Sequence, residues 1–320
     1  MRIYILALDE VFDTGLSTLL DTFSIANDLA ESAGTPSIHF EVTIVGVRRR
    51  VHTSQGLLVP VVLATQLARP DIVLIPALGA KMPATLQLAL ERRDVGDIEE
   101  LLREWSDGGT LVSAACTGTF VLANTSLLDG QSATTSWWLA PLFRERYPLV
   151  ILEESRMIVD SSSFVTAGAA LAHIDLALWL VRRSSPALAS LTARFLVIDP
   201  RPSQAVFMIP DHLMHTDPLI ERFEQWARNR LTHGFSLSAA ANAAGTSERT
   251  LARRLKTVLG KTPLSYFQDL RVERAVHLLQ TSNDSIDLIA AQVGYENGVT
   301  LRTLLRRRIG RSVSELRAGK

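Results

Sequence analysis

The sequence predicts two domains of different class: an α/β domain on a parallel sheet over residues 1–198, and an all-α domain over 218–320, joined by a linker at 199–217. Three observations predict this. The N-terminal part alternates apolar runs with amphipathic helical stretches, as strands covered by crossover helices do. The C-terminal third holds one short helical device twice. Between them lies DPRPSQAVFMIPDHLMHTDP, with four prolines and no sustained periodicity.

Taken in order, RIYILAL at 2–8 reads as a buried strand, and a helix follows from Thr14 to Ser32. HFEVTIVGV at 39–47 is a second strand, and the arginines 48–50 after it mark a solvated strand exit. DIVLIPALG at 71–79 is the kind of apolar run a parallel strand shows when both of its faces are buried. Helical patterns cover 83–92 and 96–106. After the turn Asp107-Gly108-Gly109, TLVSAA leads into Cys116 and the helical TGTFVLANTSLL. FVTAG at 164–168 is the last strand, and residues 169–181 form the closing helix.

The repeated device is SLSAAANAAGTSERTLARRLKTVLG, 236–260, and again SIDLIAAQVGYENGVTLRTLLRRRIG, 285–310. Gly245 aligns with Gly294 at an offset of 49, whereas Leu251 with Leu301 and Gly260 with Gly310 are offset by 50, so the second turn is one residue longer. Each copy places an N-cap serine, a short helix, a glycine turn and a second helix, which is the order of a helix-turn-helix. Leu251, Leu255, Val258 and Leu259 share one face of the second helix, and Arg249, Arg253 and Lys256 the other. In copy two the outer positions are Val299, Thr303 and Arg306, flanked by Arg302 and Arg307. One such copy is also how an ordinary αα-hairpin with a charged face reads; two copies favour the DNA-binding reading. Thr262 and Pro263 open a helix running to about Gln280, and those ~18 residues span roughly 27 Å. A spacer of that length suits successive major grooves, about 34 Å apart on one face of B-DNA.

Charge agrees with the division. The whole chain is neutral, but residues 218–320 hold 17 Lys plus Arg against 9 Asp plus Glu, a net +8, and residues 1–217 carry −8. An excess of positive charge at one end fits a polyanion-binding domain. One cysteine, Cys116, excludes an internal disulfide and a cysteine-cluster metal site. No apolar run reaches the ~18 residues of a membrane span, and the N-terminal run is too short for a signal peptide, so a cytoplasmic protein is expected with no membrane partner.

Cys116 sits between a buried strand and a helix, where open backbone N–H groups favour a thiolate. Gly118 permits the sharp turn that a nucleophile elbow needs. A lone cysteine after an apolar strand is equally how a small buried hydrophobe reads. Trp137 and Trp138 offer either core packing or an aromatic face for a cationic ligand.

Through AGTSERTLARRLK, GKTP, LRVERAVHLL, SIDLIAAQVGY and TLRTLLRRRIG, residues 236–316 resemble the DNA-binding domain of AraC-type regulators. Leu301 and Leu305 stand where that family usually has Phe, Thr303 where it often has Arg, and Val313 where it has Pro. Through ACTGTFVLANTSLLDGQSATTSWW, TAGAALAHIDLALWLV and FDTGLSTLLDTFSIAN, residues 1–190 resemble the PfpI-like branch of the class I glutamine amidotransferase-like superfamily, and more closely the sensor half of GlxA-type AraC regulators. The resemblance implies a flavodoxin-like sheet, a homodimer, promoter DNA, and contact with RNA polymerase when activating. It implies DNA contacts from Ser247, Arg249, Arg253 and Lys256 in copy one, and from Val299, Thr303, Arg306 and Arg307 in copy two. An effector pocket is expected at Cys116, Thr117, Ser136, Trp137 and His173.

Enzymes of the superfamily place a histidine directly after the cysteine or at the position of Ser136; here those residues are Thr117 and Ser136. Asp13 and Asp21 flank Gly15, where the acidic partner would stand. A ligand-responsive transcriptional regulator without turnover, cofactor or metal is therefore expected. The alternative is a cysteine-dependent hydrolase or lyase with a DNA-binding tail.

Overall fold

The computed structural model describes residues 1–32, 38–199, 201–209, 213, 215 and 217–317. The chain divides into two compact units, Met1–Gln204 and Ala205–Lys320.

In the first unit β1 (Arg2–Leu6) is followed by α1 (Asp13–Ser32), β2 (Glu41–Gly46), a hairpin of β3 (Arg50–His52) and β4 (Leu58–Pro60), and β5 (Val62–Leu63). Next, β6 (Ile72–Ile75) leads through α2 (Pro83–Leu90) and α3 (Arg93–Asp107) to β7 (Leu111–Ala115) and α4 (Gly118–Asn124). After β8 (Ser132–Ala133), α5 (Ala140–Arg146) and β9 (Ile151–Leu152) come β10 (Ile158–Ser161), β11 (Phe164–Ala167), α6 (Ala172–Ser184) and α7 (Pro186–Phe195).

The main sheet has the order β10-β11-β7-β6-β1-β2-β5. Its five central strands are all parallel. Numbered among themselves they run 2-1-3-4-5, the order of flavodoxin-type doubly wound sheets. The continuous apolar run of β1 follows from this placement. Ile3, Ile5 and Ala7 pack with α1, α6 and α7 on one face, while Tyr4, Leu6 and Leu8 pack with α2, α3 and α4 on the other. Each fully buried aliphatic chain of this kind stabilises the unit by roughly 1.5–3 kcal/mol. The parallel α/β class is thus as the sequence predicts, but β10 is antiparallel to β11 and forms an edge the sequence did not announce. Its hairpin turns at Ser162, whose φ is 63°.

The stretch expected as linker at 199–217 is divided between the units. Gln204 is buried in the first: its amide nitrogen donates to the carbonyls of Thr135 (2.9 Å) and Glu154 (2.8 Å), and its oxygen accepts from the Ala169 N–H (3.0 Å). A single 3₁₀ turn, Ala205–Phe207, belongs to the second unit.

That second unit is all helical: α8 (Pro218–Arg228), α9 (Leu237–Ala243), α10 (Glu248–Leu259), α11 (Pro263–Thr281), α12 (Ile286–Gln292), α13 (Gly298–Ile309) and α14 (Val313–Arg317). The caps read from sequence are in place. Ser236 caps α9, Thr262 caps α11 with Pro263 at its first turn, and Ser285 caps α12. Gly245 and Gly294 both take left-handed φ, 69° and 79°, at the turns. α11 joins the two copies. At its start Tyr266 and Phe267 pack with Phe223, Trp226 and Phe235; further along, Val272, Ala275 and Leu279 join the core of α12 and α13.

Candidate functional site

The two second helices of the repeat are equivalent in length and construction. α10 and α13 have 12 residues each. Each opens on a polar N-cap, Ser247 or Asn297, and closes on a left-handed glycine, Gly260 or Gly310. Each buries a leucine pair one turn apart, Leu251 with Leu255 and Leu301 with Leu305. Polar residues therefore face outward by helical geometry.

On α10, Arg249 and Arg253 are exposed, and neither forms an ion pair among the described residues. Their charge is uncompensated, as a polyanion-binding face requires. Lys256 is exposed, but its Nζ also donates to the Gly260 carbonyl at 3.1 Å, capping its own helix. The Ser247 hydroxyl accepts from the Thr250 N–H at 3.2 Å. Arg254, one position from Arg253, is paired instead with Asp217, the N-cap of α8. That partner accounts for why only some of the basic residues on α10 are unpaired, and nothing in the local pattern marks it.

On α13, Val299 is 66% exposed, and the Thr303 hydroxyl donates to the Val299 carbonyl at 3.1 Å. Arg302, Arg306 and Arg307 are exposed without an ion pair among the described residues. Arg308 is different. It pairs with Asp269 at 2.6 Å and bonds Gln268 at 2.7 Å, both on α11, fixing α13 to the spacer. The sequence shows three consecutive arginines, and only tertiary structure separates the anchor from the two free cations.

In the first unit Cys116 follows β7 directly with φ 56°, in the left-handed region. A Cβ at Gly118 would lie 2.3 Å from the Ile75 carbonyl oxygen, so helix α4 can approach β6 only with glycine there. The turn thus has elbow geometry. Its electrostatics are the reverse of the expectation of a thiolate. Cys116 is 5% exposed, and burial pushes its thiol above the usual range, against hydrogen bonds from Ser136 and Thr117 that act the other way. Desolvation outweighs the open amides of a seven-residue helix.

The structure brings Cys116 and Ser136 together, Sγ to Oγ 2.9 Å. The other expected pocket residues turn elsewhere. Thr117 Oγ1 donates to the Leu78 carbonyl (2.9 Å), and Trp137 is buried with its ring edge-to-face against Trp138. His173 is fully buried; its Nε2 accepts from the Ala77 N–H (3.0 Å) and its Nδ1 donates to the Ala170 carbonyl (2.6 Å). Burial lowers its pKa to about 4, so it is a neutral imidazole with both nitrogens engaged. A Cβ at Gly15 would meet His173 Nε2 at 2.6 Å, so the imidazole fills the place that a side chain at position 15 would take. Asp13, at the start of α1, accepts from the Ser54 hydroxyl (2.7 Å) and the Gln55 N–H (3.1 Å).

A doubly wound α/β unit with a strained cysteine turn, followed by a duplicated helix-turn-helix, defines the class. The chain belongs to the DJ-1/PfpI family, whose model matches residues 1–183, and a helix-turn-helix domain model of AraC type matches residues 240–319. Among curated relatives, it is 27% identical over 236 residues to the HTH-type transcriptional regulator CdhR of Pseudomonas aeruginosa, covering 68% of this chain and 66% of that one. It is 36% identical over 106 residues to the HTH-type transcriptional activator RhaS of Escherichia fergusonii, covering 33% of this chain and 38% of that one. The matches span less than two thirds of these relatives' own lengths. A crystal structure of an AraC family transcriptional regulator from Pseudomonas putida aligns with a TM-score of 0.51 at 18% identity, covering 61% of this chain and 98% of that chain. A putative transcriptional regulator from Vibrio parahaemolyticus aligns with a TM-score of 0.51 at 21% identity, with the same coverage. Those likenesses establish a shared fold.

Proposed function

We propose that this protein is a sequence-specific DNA-binding transcriptional regulator whose DJ-1/PfpI unit answers a small-molecule effector. The observation that carries the reading is the pair α10 and α13: equal in length, capped alike, held by one 19-residue spacer helix, and bearing unpaired arginines on their outer faces. Arg249 and Arg253 meet DNA from α10, with Ser247 and Lys256 at its ends. Val299, Thr303, Arg306 and Arg307 meet it from α13, where the valine and threonine suit thymine methyl groups and the arginines suit guanine edges or phosphates. The names of the relatives, transcriptional regulators and activators, support the same reading. Promoter DNA, RNA polymerase during activation, a homodimer formed through the first unit, and the cytoplasm as the place of action complete it.

The first unit acts in this account without turnover. A protonated, buried thiol and an imidazole with both nitrogens bonded do not make a nucleophile and base. Because the polar atoms of Cys116, Thr117, Ser136 and His173 bond within the protein, the effector is held elsewhere in that unit.

Selection of duplexes from a random library by the full-length protein tests the proposal. The expected result is a recovered site bound at least ~10³-fold more tightly than a scrambled duplex at the same salt. Equal affinity for all duplexes would overturn it. Arg253→Ala on the recovered site should cost about 1–3 kcal/mol and relax preference at one base pair.

A further inference from the structure

The first unit contains a cleft of about 360 Å³ between the edge strand β10, helix α6, the end of α7 and the segment that leaves toward residue 204. Its size lies at the lower end of small-molecule sites, room for a ligand of amino-acid size. The walls carry both signs of charge in equal number. Asp175 and Arg201 are paired across one wall, and the Arg201 guanidinium also donates to the Leu171 carbonyl at 3.0 Å. That pair is self-compensated. Four more charged residues line the cleft, Arg156, Arg182, Asp160 and Asp199, and none of them forms an ion pair among the described residues.

Apolar surface completes the cleft. The half-buried indole of Trp179 lies in the wall, with the guanidinium of Arg183 on its ring at 5.2 Å, and Leu178, Ile198 and Pro202 stand beside it. Two arginines and two aspartates without ion pairs among the described residues, the Asp160 carboxylate accepting only from the Ser162 N–H (3.1 Å), together with an indole do not suit a simple anion or a simple cation. Either would leave one pair of like charges facing it unanswered.

We infer that this cleft is the binding site for a small zwitterion with an apolar body, its carboxylate on Arg156 and Arg182, its ammonium on Asp160 and Asp199, and its apolar part on Trp179. The site differs from the cysteine turn, whose polar atoms are engaged within the fold. It also has a direct relation to the chain: Ile198, Asp199, Arg201 and Pro202, which line the cleft, belong to the run that leads to the buried Gln204. A ligand that draws on Asp199 acts on that run. As an effector site the cleft rests on the regulator reading above, but ligand binding is measurable without DNA.

Calorimetry on the full-length protein tests it, with leucine, phenylalanine and tryptophan each compared with the corresponding decarboxylated amine and deaminated acid. At least one of the three amino acids should bind, and its amine and acid should each bind at least about tenfold more weakly. Arg182→Gln and Asp199→Asn, both at exposed rim positions, should each weaken binding about tenfold, and Asp97→Asn on α3 should not change it. Silence of all three amino acids at millimolar concentration, equal binding of amine and acid, or indifference to both rim substitutions would overturn the inference. A ligand that binds as expected and leaves operator affinity unchanged would leave the site standing and count against effector control.

Discussion

Lowering the pH should destabilise the first unit through one side chain, His173. The imidazole is fully buried, accepts from the Ala77 N–H and donates to the Ala170 carbonyl, so a second proton would have to displace a buried amide. Its folded pKa is about 4, below the ordinary 6.5. A depressed value means that the neutral form is held by the fold. The stabilisation is complete above pH 6.5 and is lost as the pH falls toward 4. At 1.36 kcal/mol per unit, the loss across that window is about 3 kcal/mol. For a unit of this size that corresponds to a fall in Tm of roughly 6–12 °C. The assay is thermal unfolding followed by tryptophan fluorescence, since four of the five tryptophans lie in the first unit. His173→Gln keeps an acceptor and a donor but does not titrate, so its profile between pH 6.5 and 4 should be flatter than the wild type's by that amount. Parallel profiles would refute the assignment.

Three further outcomes follow from local geometry. Gly118→Ala should destabilise the first unit by at least about 2 kcal/mol, because its methyl group would meet the backbone carbonyls of Ile75 and Pro76 at 2.3 and 2.6 Å; an unchanged Tm would contradict this. Val197→Gly should raise stability by about 0.5–1 kcal/mol, since Val197 is 89% exposed with φ 55°, a conformation costing an L-residue about 1–2 kcal/mol that glycine's extra freedom in the unfolded chain partly offsets. Cys116 should react with iodoacetamide at pH 7 at least about tenfold more slowly than a free cysteine, because burial holds the thiol protonated; rapid alkylation would reveal an activated thiolate and favour an enzyme.

The features legible in the sequence were those set by local chemistry or by period. Ser236, Thr262 and Ser285 cap helices because a side-chain oxygen before an apolar-periodic stretch has few other uses, and the one-residue difference between the two turns recurs as a longer gap from α12 to α13 than from α9 to α10. The apolar run of β6 announced a strand buried on both faces, and that of β1 a buried strand. Pairings between distant residues were not legible. No pattern within LARRLK tells that Arg254 reaches Asp217 while Arg253 stays free, or within RRRIG that Arg308 is the anchor. The cysteine turn was legible in shape, through Gly118, but not in charge. Whether open amides or desolvation governs a thiol depends on how much of the fold covers it, and here Thr135 and Ser136 bond to Cys116 and bury it. The edge strand β10 was missed because four residues carry too little alternation to be distinguished from a loop.

On the reading proposed above, α10 and α13, set apart by α11, enter neighbouring major grooves on one face of the duplex, and operator phasing distinguishes this from binding by one helix alone. Within the recovered site, the two segments protected in the major groove should lie about 10 bp apart, one helical turn. Inserting 5 bp between them turns one groove to the far side of the DNA, and the 19-residue spacer has no joint within it to follow. Loss of the contacts of one helix, at about 1–3 kcal/mol for each good base contact, should then lower affinity at least tenfold, and Thr303→Ala and Arg306→Ala should have no further effect on the inserted site. Undiminished affinity for the inserted operator would contradict the claim that both helices read it together.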